Sequence, residues 1–137
     1  MTAETWTVTI DRLPMNLNDL RKATKWAENA MKADDTETAY GKALETERLP
    51  SMPWDGAHLY VVYGIDDYRH RDLNNLSTKG FIDGITSAGV ITDDNMYVLS
   101  RECAEWERSD SLYTKMTLVR MPPIPRIIKR RKRRAVH

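Results

Sequence analysis

The chain reads as a single compact α/β (α+β) domain, a mixed β-sheet packed against helices. Three observations predict it. Two stretches, Thr5–Ile10 and His58–Tyr63, have the alternation or the β-branched and aromatic content of strands. Helical spacing of apolar residues fills the interval between them and returns after Asn75. The 137 residues are 41% hydrophobic and 30% charged, ordinary values for a globular domain with a real core.

Taken in order, Trp6, Val8 and Ile10 lie on one face of the first strand and threonines on the other. Leu13-Pro14-Met15 breaks it. Asn16 or Asn18 then opens a helix whose stripe is Leu17, Leu20, Ala23, Ala27, Ala30 and Met31, with Trp26 packing beside it. The pattern runs on from Thr36 to Glu47 through Ala39, Tyr40, Ala43 and Leu44, and Pro50 and Pro53 close the region in a loop. After the His58–Tyr63 strand, a helix from Asn75 to Ala88 places Asn75, Lys79 and Asp83 on one face and Phe81, Ile82 and Ile85 on the core side. Gly80 and Gly84 weaken that helix by about 1 kcal/mol each relative to alanine, which fits either a close approach of another backbone or a tolerated weak helix. Met96–Leu99 starts a strand that continues to Trp106, residues 107–111 turn, and residues 112–119 return as its hairpin partner. Pro122, Pro123 and Pro125 stop the sheet, so the domain is expected to span residues 1–123 and a basic tail, disordered when free, residues 124–137.

Composition excludes several classes. No apolar run is long enough to span a bilayer and no signal-peptide pattern opens the chain, so a cytoplasmic protein without membrane contact is expected. Cys103, the only cysteine, rules out an intramolecular disulfide and a Cys-rich zinc site; its place in a strand predicts a small buried filler. Gly-rich phosphate loops, HExxH and GxSxG are absent from the sequence. The net charge of +1 conceals an asymmetry: Arg126, Lys129, Arg130, Arg131, Lys132, Arg133 and Arg134 form a basic tail. Without those seven, 14 basic residues face 20 acidic ones, a body near −6. A basic tail of this kind points to a polyanion, with nucleic acid the favoured partner.

The stretch that organises the chain is residues 69–95. Arg69, His70 and Arg71 run into Asp72, Asn74 and Asn75; the helix follows and ends at Ala88-Gly89; Val90 and Ile91 then lead to Asp93-Asp94. A helix of about 13 residues is about 20 Å long, so the acids at its two ends can meet only if the chain doubles back. If they do, they form a hard-oxygen site suited to Mg²⁺. Lys79 would then neutralise charge building on phosphorus, and Arg69 and Arg71 would hold flanking phosphates. The same residues also fit a plain helix capped by Asn75, ended by Gly89 and followed by a solvated Asp turn, with Lys79 paired to Asp83.

The series Arg71-Asp72-Leu73-Asn74-Asn75-Leu76, then Lys79, Asp83, Ala88-Gly89 and Asp93-Asp94, resembles the signature of RusA-type Holliday junction resolvases. The likeness covers about 30 residues, and a Pro-x-Asn turn after the first strand (Pro14-Met15-Asn16) agrees with it. It implies a RusA-like fold and a homodimeric crossover junction endodeoxyribonuclease that nicks four-way DNA in pairs with Mg²⁺, for which Mn²⁺ can substitute. It also implies a role in recombination and repair, and a phage or prophage setting. By position, Asp72 and Asp94 would be metal ligands and catalytic with Lys79, Asn74 and Asp93 would complete the metal site, and Asn75 and Asp83 would support it. Two departures stand out: Asn74 replaces a frequent second aspartate of the motif, and Lys79 lies one residue further from Asn75 than in the best-known members. The departure at Asn74 keeps a second expectation open, a junction-binding protein of the same fold that cleaves weakly.

Truncation after Pro125 should weaken binding to DNA of every shape and flatten its salt dependence. Seven neutralised phosphates would give a log–log slope of about −6, and a tail that engages only some of them gives less. Binding titrations over a salt series measure this, and an unchanged slope excludes the tail from phosphate contact.

Overall fold

The computed structural model of the chain describes residues 4–126. The Thr-Trp-Thr-Val-Thr-Ile alternation forms strand β1 (Thr5–Ile10), with Trp6, Val8 and Ile10 buried and the threonines exposed. Strand β2 (Ala57–Ile65) buries Leu59, Val61, Tyr63 and Ile65 on the same side. With β3 (Leu99–Arg108) and β4 (Tyr113–Arg120) they make one sheet in the order β1-β4-β2-β3. β4 runs antiparallel to both β1 and β2, whereas β3 runs parallel to β2, so the sheet is mixed as expected.

The expected hairpin between the last two strands does not form. β3 runs on through Glu107 to Arg108, past the expected turn, and residues 109–112 carry the chain across the end of β2. The Ser109 N–H donates to the Ile65 carbonyl at 3.0 Å during this crossing. Burial explains the choice. Thr114, Met116 and Leu118 of β4 are inaccessible to solvent, which suits a central strand, while β3 buries none of its residues and takes the edge. Cys103 is therefore half-exposed on an edge strand, a correction to its expected role as a buried filler.

Asn16 opens α1 (Leu17–Lys22), its side-chain oxygen accepting from the Asn18 N–H at 2.8 Å. One continuous helix was expected here, but Ala23 and Thr24 interrupt it. Thr24 caps a new helix, α2 (Lys25–Glu45), by accepting from the Ala27 N–H at 3.1 Å. α2 buries only Asp35, Ala39 and Ala43, so its first turns stand clear of the core. Trp26 is consequently 80% exposed rather than packed, and Tyr40 and Leu44 point partly outward too.

Helix α3 (Lys79–Ser87) packs Phe81, Ile82 and Ile85 into the core and crosses α2 closely. A Cβ at Gly80 would lie 2.6 Å from the Asp35 Cβ, and one at Gly84 2.7 Å from the Ala39 Cβ. Both glycines therefore serve close approach. Asp35, 2% exposed, holds the crossing to the rest of the chain: it accepts from Arg12 Nη1 at 2.6 Å and from the Met15 N–H at 2.9 Å. No described helix is long and apolar enough to cross a membrane.

The glycines give opposite predictions. Gly84→Ala should destabilise the fold by about 1–3 kcal/mol through overpacking, despite the better helix propensity of alanine. Gly41→Ala, with nothing within 4 Å of the added carbon, should stabilise it by about 0.5–1 kcal/mol. Urea unfolding of both variants checks the pair; equal effects would remove the close-approach explanation.

Candidate functional site

The chain does double back after α3. Gly89 has φ +90°, the left-handed conformation that glycine adopts without penalty. It ends the helix with two bonds: its own N–H donates to Thr86 C=O at 3.0 Å, and the Val90 N–H donates to Ile85 C=O at 3.2 Å. The reversed chain is then pinned beside Trp54. The Trp54 N–H donates to Val90 C=O at 2.9 Å, and the Thr92 N–H to Trp54 C=O at 3.0 Å. With Val90 and Ile91 buried, the acidic pair is delivered back along the helix.

Asp94 Oδ2 lies 3.7 Å from Lys79 Nζ, at the opposite end of α3 from Gly89. Asp83, one turn along α3 from Lys79, completes a three-residue group. Burial holds the Asp83 carboxyl above its ordinary range; Lys79 opposes that shift, and the nearby Asp94 carboxylate adds to it. An open cleft of about 410 Å³ lies alongside, lined by Asn74, Ser77, Thr78, Lys79, Asp94 and Glu102 among others. Glu102, from the edge strand β3, accepts from the Thr78 hydroxyl at 2.6 Å. The Tyr63 phenol is pushed upward, first by burial and then by the Glu102 charge.

Other expected site residues fall outside this group. Asp72 is exposed and does not line the cleft; its Oδ2 accepts from Asn75 Nδ2 at 3.3 Å. Asp93 is exposed, and its carboxyl is held below the ordinary range chiefly by the Asp94 N–H, which donates to Asp93 Oδ1 at 2.7 Å. Asn75 does not share a helical face with Lys79. Residues Leu73–Asn75 form a single 3₁₀ turn, and α3 begins only at Lys79. The cause is local: Leu76 bridges to Asn16 and the Ser77 N–H donates to Met15 C=O at 3.0 Å, which extends the chain between turn and helix. Among the described residues, no three His, Cys, Asp or Glu side chains converge closely enough to hold a metal ion.

The expected phosphate contacts are mostly occupied by protein. Arg71 Nη2 lies 2.7 Å from Asp67 Oδ2, and Arg69 Nε lies 3.5 Å from the same oxygen. The Arg71 bond is the main reason that the Asp67 carboxyl sits below its ordinary range. Arg71 Nε is buried without a partner, while Arg69 stays largely exposed. Arg126 stacks over Tyr97 at 5.1 Å; Lys129, Arg130, Arg131, Lys132, Arg133 and Arg134 lie outside the described residues.

Two contributors escaped sequence reasoning. Glu102 sits within a run of charges on β3, where nothing marks one acid over its neighbours. Thr78, buried as the residue before α3, leaves no pattern either, because its partner is 24 residues away. The chain matches no known protein family and no characterised protein sequence.

The raised Asp83 carboxyl predicts a pH effect. A carboxyl raised by folding binds its proton more tightly in the folded state. Stability is then lost as pH rises from the ordinary carboxyl value to the raised one, and stays lost above it. Asp83→Asn should therefore raise the melting temperature at pH 8 and change it little at pH 3, in metal-free buffer. Equal shifts at both values would show that Asp83 does not carry the strain.

Proposed function

We propose that the protein is a Mg²⁺-dependent endodeoxyribonuclease that resolves four-way DNA junctions by paired nicks. The observation that carries the reading is the return of the chain after Gly89, which sets Asp94 against Lys79 and Asp83 beside an open cleft. Asp94, Glu102 and Asn74 line one cleft, and side-chain oxygens of these kinds are what Mg²⁺ takes.

When bound, Mg²⁺ or Mn²⁺ supplies a water of lowered pKa and polarises the phosphoryl oxygens. The residues of the chain do the rest. Lys79, 57% exposed, can leave Asp94 and move toward charge developing on phosphorus. Asp83 keeps Lys79 and Asp94 in register from one helical turn away. Asp72 and Asp93 flank the group from the loops on either side of α3 and add negative charge to the approach. Arg69, largely exposed though 3.5 Å from Asp67, would turn its guanidinium to a neighbouring phosphate.

A second reading has its own support. Asp72 and Asp93 stand outside the cleft, and Asn74 brings no charge, so the same surface suits a protein that holds DNA junctions and cleaves them weakly. A synthetic four-way junction incubated with and without Mg²⁺ separates the two: nicking supports the nuclease, and binding without product supports the junction binder.

For the nuclease, Asp94→Asn should abolish cleavage and Asp72→Asn should only weaken it, while junction binding survives both in gel-shift titrations. Near-normal cleavage by Asp94→Asn would defeat the assignment. Asn74→Asp should lower the Mg²⁺ concentration for half-maximal cleavage, because a carboxylate is the stronger ligand.

A further inference from the structure

The inner face of β3 carries Glu102, Ala104, Trp106 and Arg108, paired in register with Leu59, Val61, Tyr63 and Ile65 of β2. Glu102 lines the cleft beside Lys79. At the far end of the strand, Trp106 and Arg108 line a second cavity of about 150 Å³ together with Tyr68, Leu73 and Leu76. A groove lined by Leu73, Asn74, Leu76, Glu102 and Ala104 runs between the two and shares residues with each. Glu102 and Trp106 stand about 13 Å apart along the strand, at about 3.3 Å per residue.

The far cavity differs in chemistry from the acidic cleft. Tyr68 is 87% exposed and Trp106 52%, although both are large aromatic side chains. Arg108 Cζ lies 4.5 Å from the Tyr68 ring centre and 5.5 Å from that of Trp106. Arg108 Nη1 donates to the Ile65 C=O at 3.4 Å and to the Asp67 C=O, which anchors the guanidinium where β2 and β3 end. Around this cavity Arg69, Arg71 and Arg108 face a single carboxylate, Asp67, which already takes Arg71 at 2.7 Å. The surplus charge is positive. Exposed rings, a fixed guanidinium and positive charge in one place are the parts from which proteins build stacking sites for unpaired bases.

We propose that this cavity takes one unpaired base of a DNA strand whose backbone follows the groove along β3 to the cleft. The inference rests on the nucleic-acid part of the proposed function and not on cleavage. The base would stack on the Trp106 or Tyr68 ring in a space that suits a single ring system. Arg108 backs those rings, and Arg69, largely exposed, would take the flanking phosphate. A base inside a duplex has both faces covered by its neighbours, so the site would distinguish unpaired from paired DNA.

Fluorescence anisotropy on the full chain, with a labelled oligothymidine and with a fully paired duplex, tests this. Trp106→Ala should weaken oligothymidine binding about tenfold, within the range that one base stacked on an aromatic ring is worth. Tyr68→Ala, which alters an exposed side chain outside the sheet, should weaken it about fivefold and carries the test if Trp106→Ala unfolds. Trp106→Phe keeps a ring and should stay within about twofold of the natural chain. None of these variants removes a charge, so the log–log salt slope should hold, and duplex affinity should move by less than about twofold. Oligothymidine affinity that is unchanged in Tyr68→Ala, or that falls no more than duplex affinity does, would overturn the proposal even if junctions are nicked. The expected losses in a chain that nicks no junction would instead defeat the nuclease reading and leave the base site standing. A chain that binds no DNA would overturn both.

Discussion

The buried carboxylate of Asp35 is the contact on which the rest of the arrangement depends. It meets Arg12 after β1, the backbone of Met15 before α1, and the bare face of Gly80 on α3. Three segments distant in sequence are thereby held at one point on α2. A buried ion pair is not a source of much net stability, but breaking one leaves an unpaired charge at a cost of about 3–5 kcal/mol. Its service is positional. With Gly80 against Asp35 and Gly84 against Ala39, α3 can settle against α2 in only one way. Its first residue, Lys79, is thereby directed to the cleft.

From that fixed helix the site follows by short links. Met15 and Asn16 hold Ser77 and Leu76 extended, so the helix cannot begin before Lys79 and Asn74 is left at the cleft. Gly89 reverses the chain, Trp54 clamps it, and Asp94 arrives beside Lys79. Lys79 there stands between two carboxylates, one of them half-buried. In the proposed nuclease a cation would compete with Lys79 for Asp94.

Strand placement shows a different kind of constraint. β4 is apolar on its inner face, with Met116 and Leu118 at 0% exposure, and so lies between β1 and β2. β3 follows β2 in a parallel sense because α3 and the doubled-back chain supply the crossover that a parallel pair requires. A hairpin would have put the charged strand beside the one that needs burial on both sides.

The sequence by itself determined the secondary structure of most of the chain and the class of fold, because period and composition act over a few residues. The threonine alternation of β1, the aromatic and β-branched run of β2 and the glycine stop of α3 were all legible there, whereas the doubling back that brings Asp94 to Lys79 stood only as a condition. The break at Thr24, the late start of α3 and the exposed Trp26 were not, since each depends on what a distant segment bonds or buries. Strand order was not legible either: residues 112–119 read as a hairpin partner of their neighbour until burial across the whole sheet is weighed. At the site, Lys79, Asp83 and Asp94 could be named from spacing, but Glu102 and Thr78 join them only in three dimensions. Asp72 and Asp93 are alike as residues to Asp94, yet they lie outside the cleft. Local pattern decides which residues can do chemistry; the α2–α3 crossing and the turn at Gly89 decide which of them share one space.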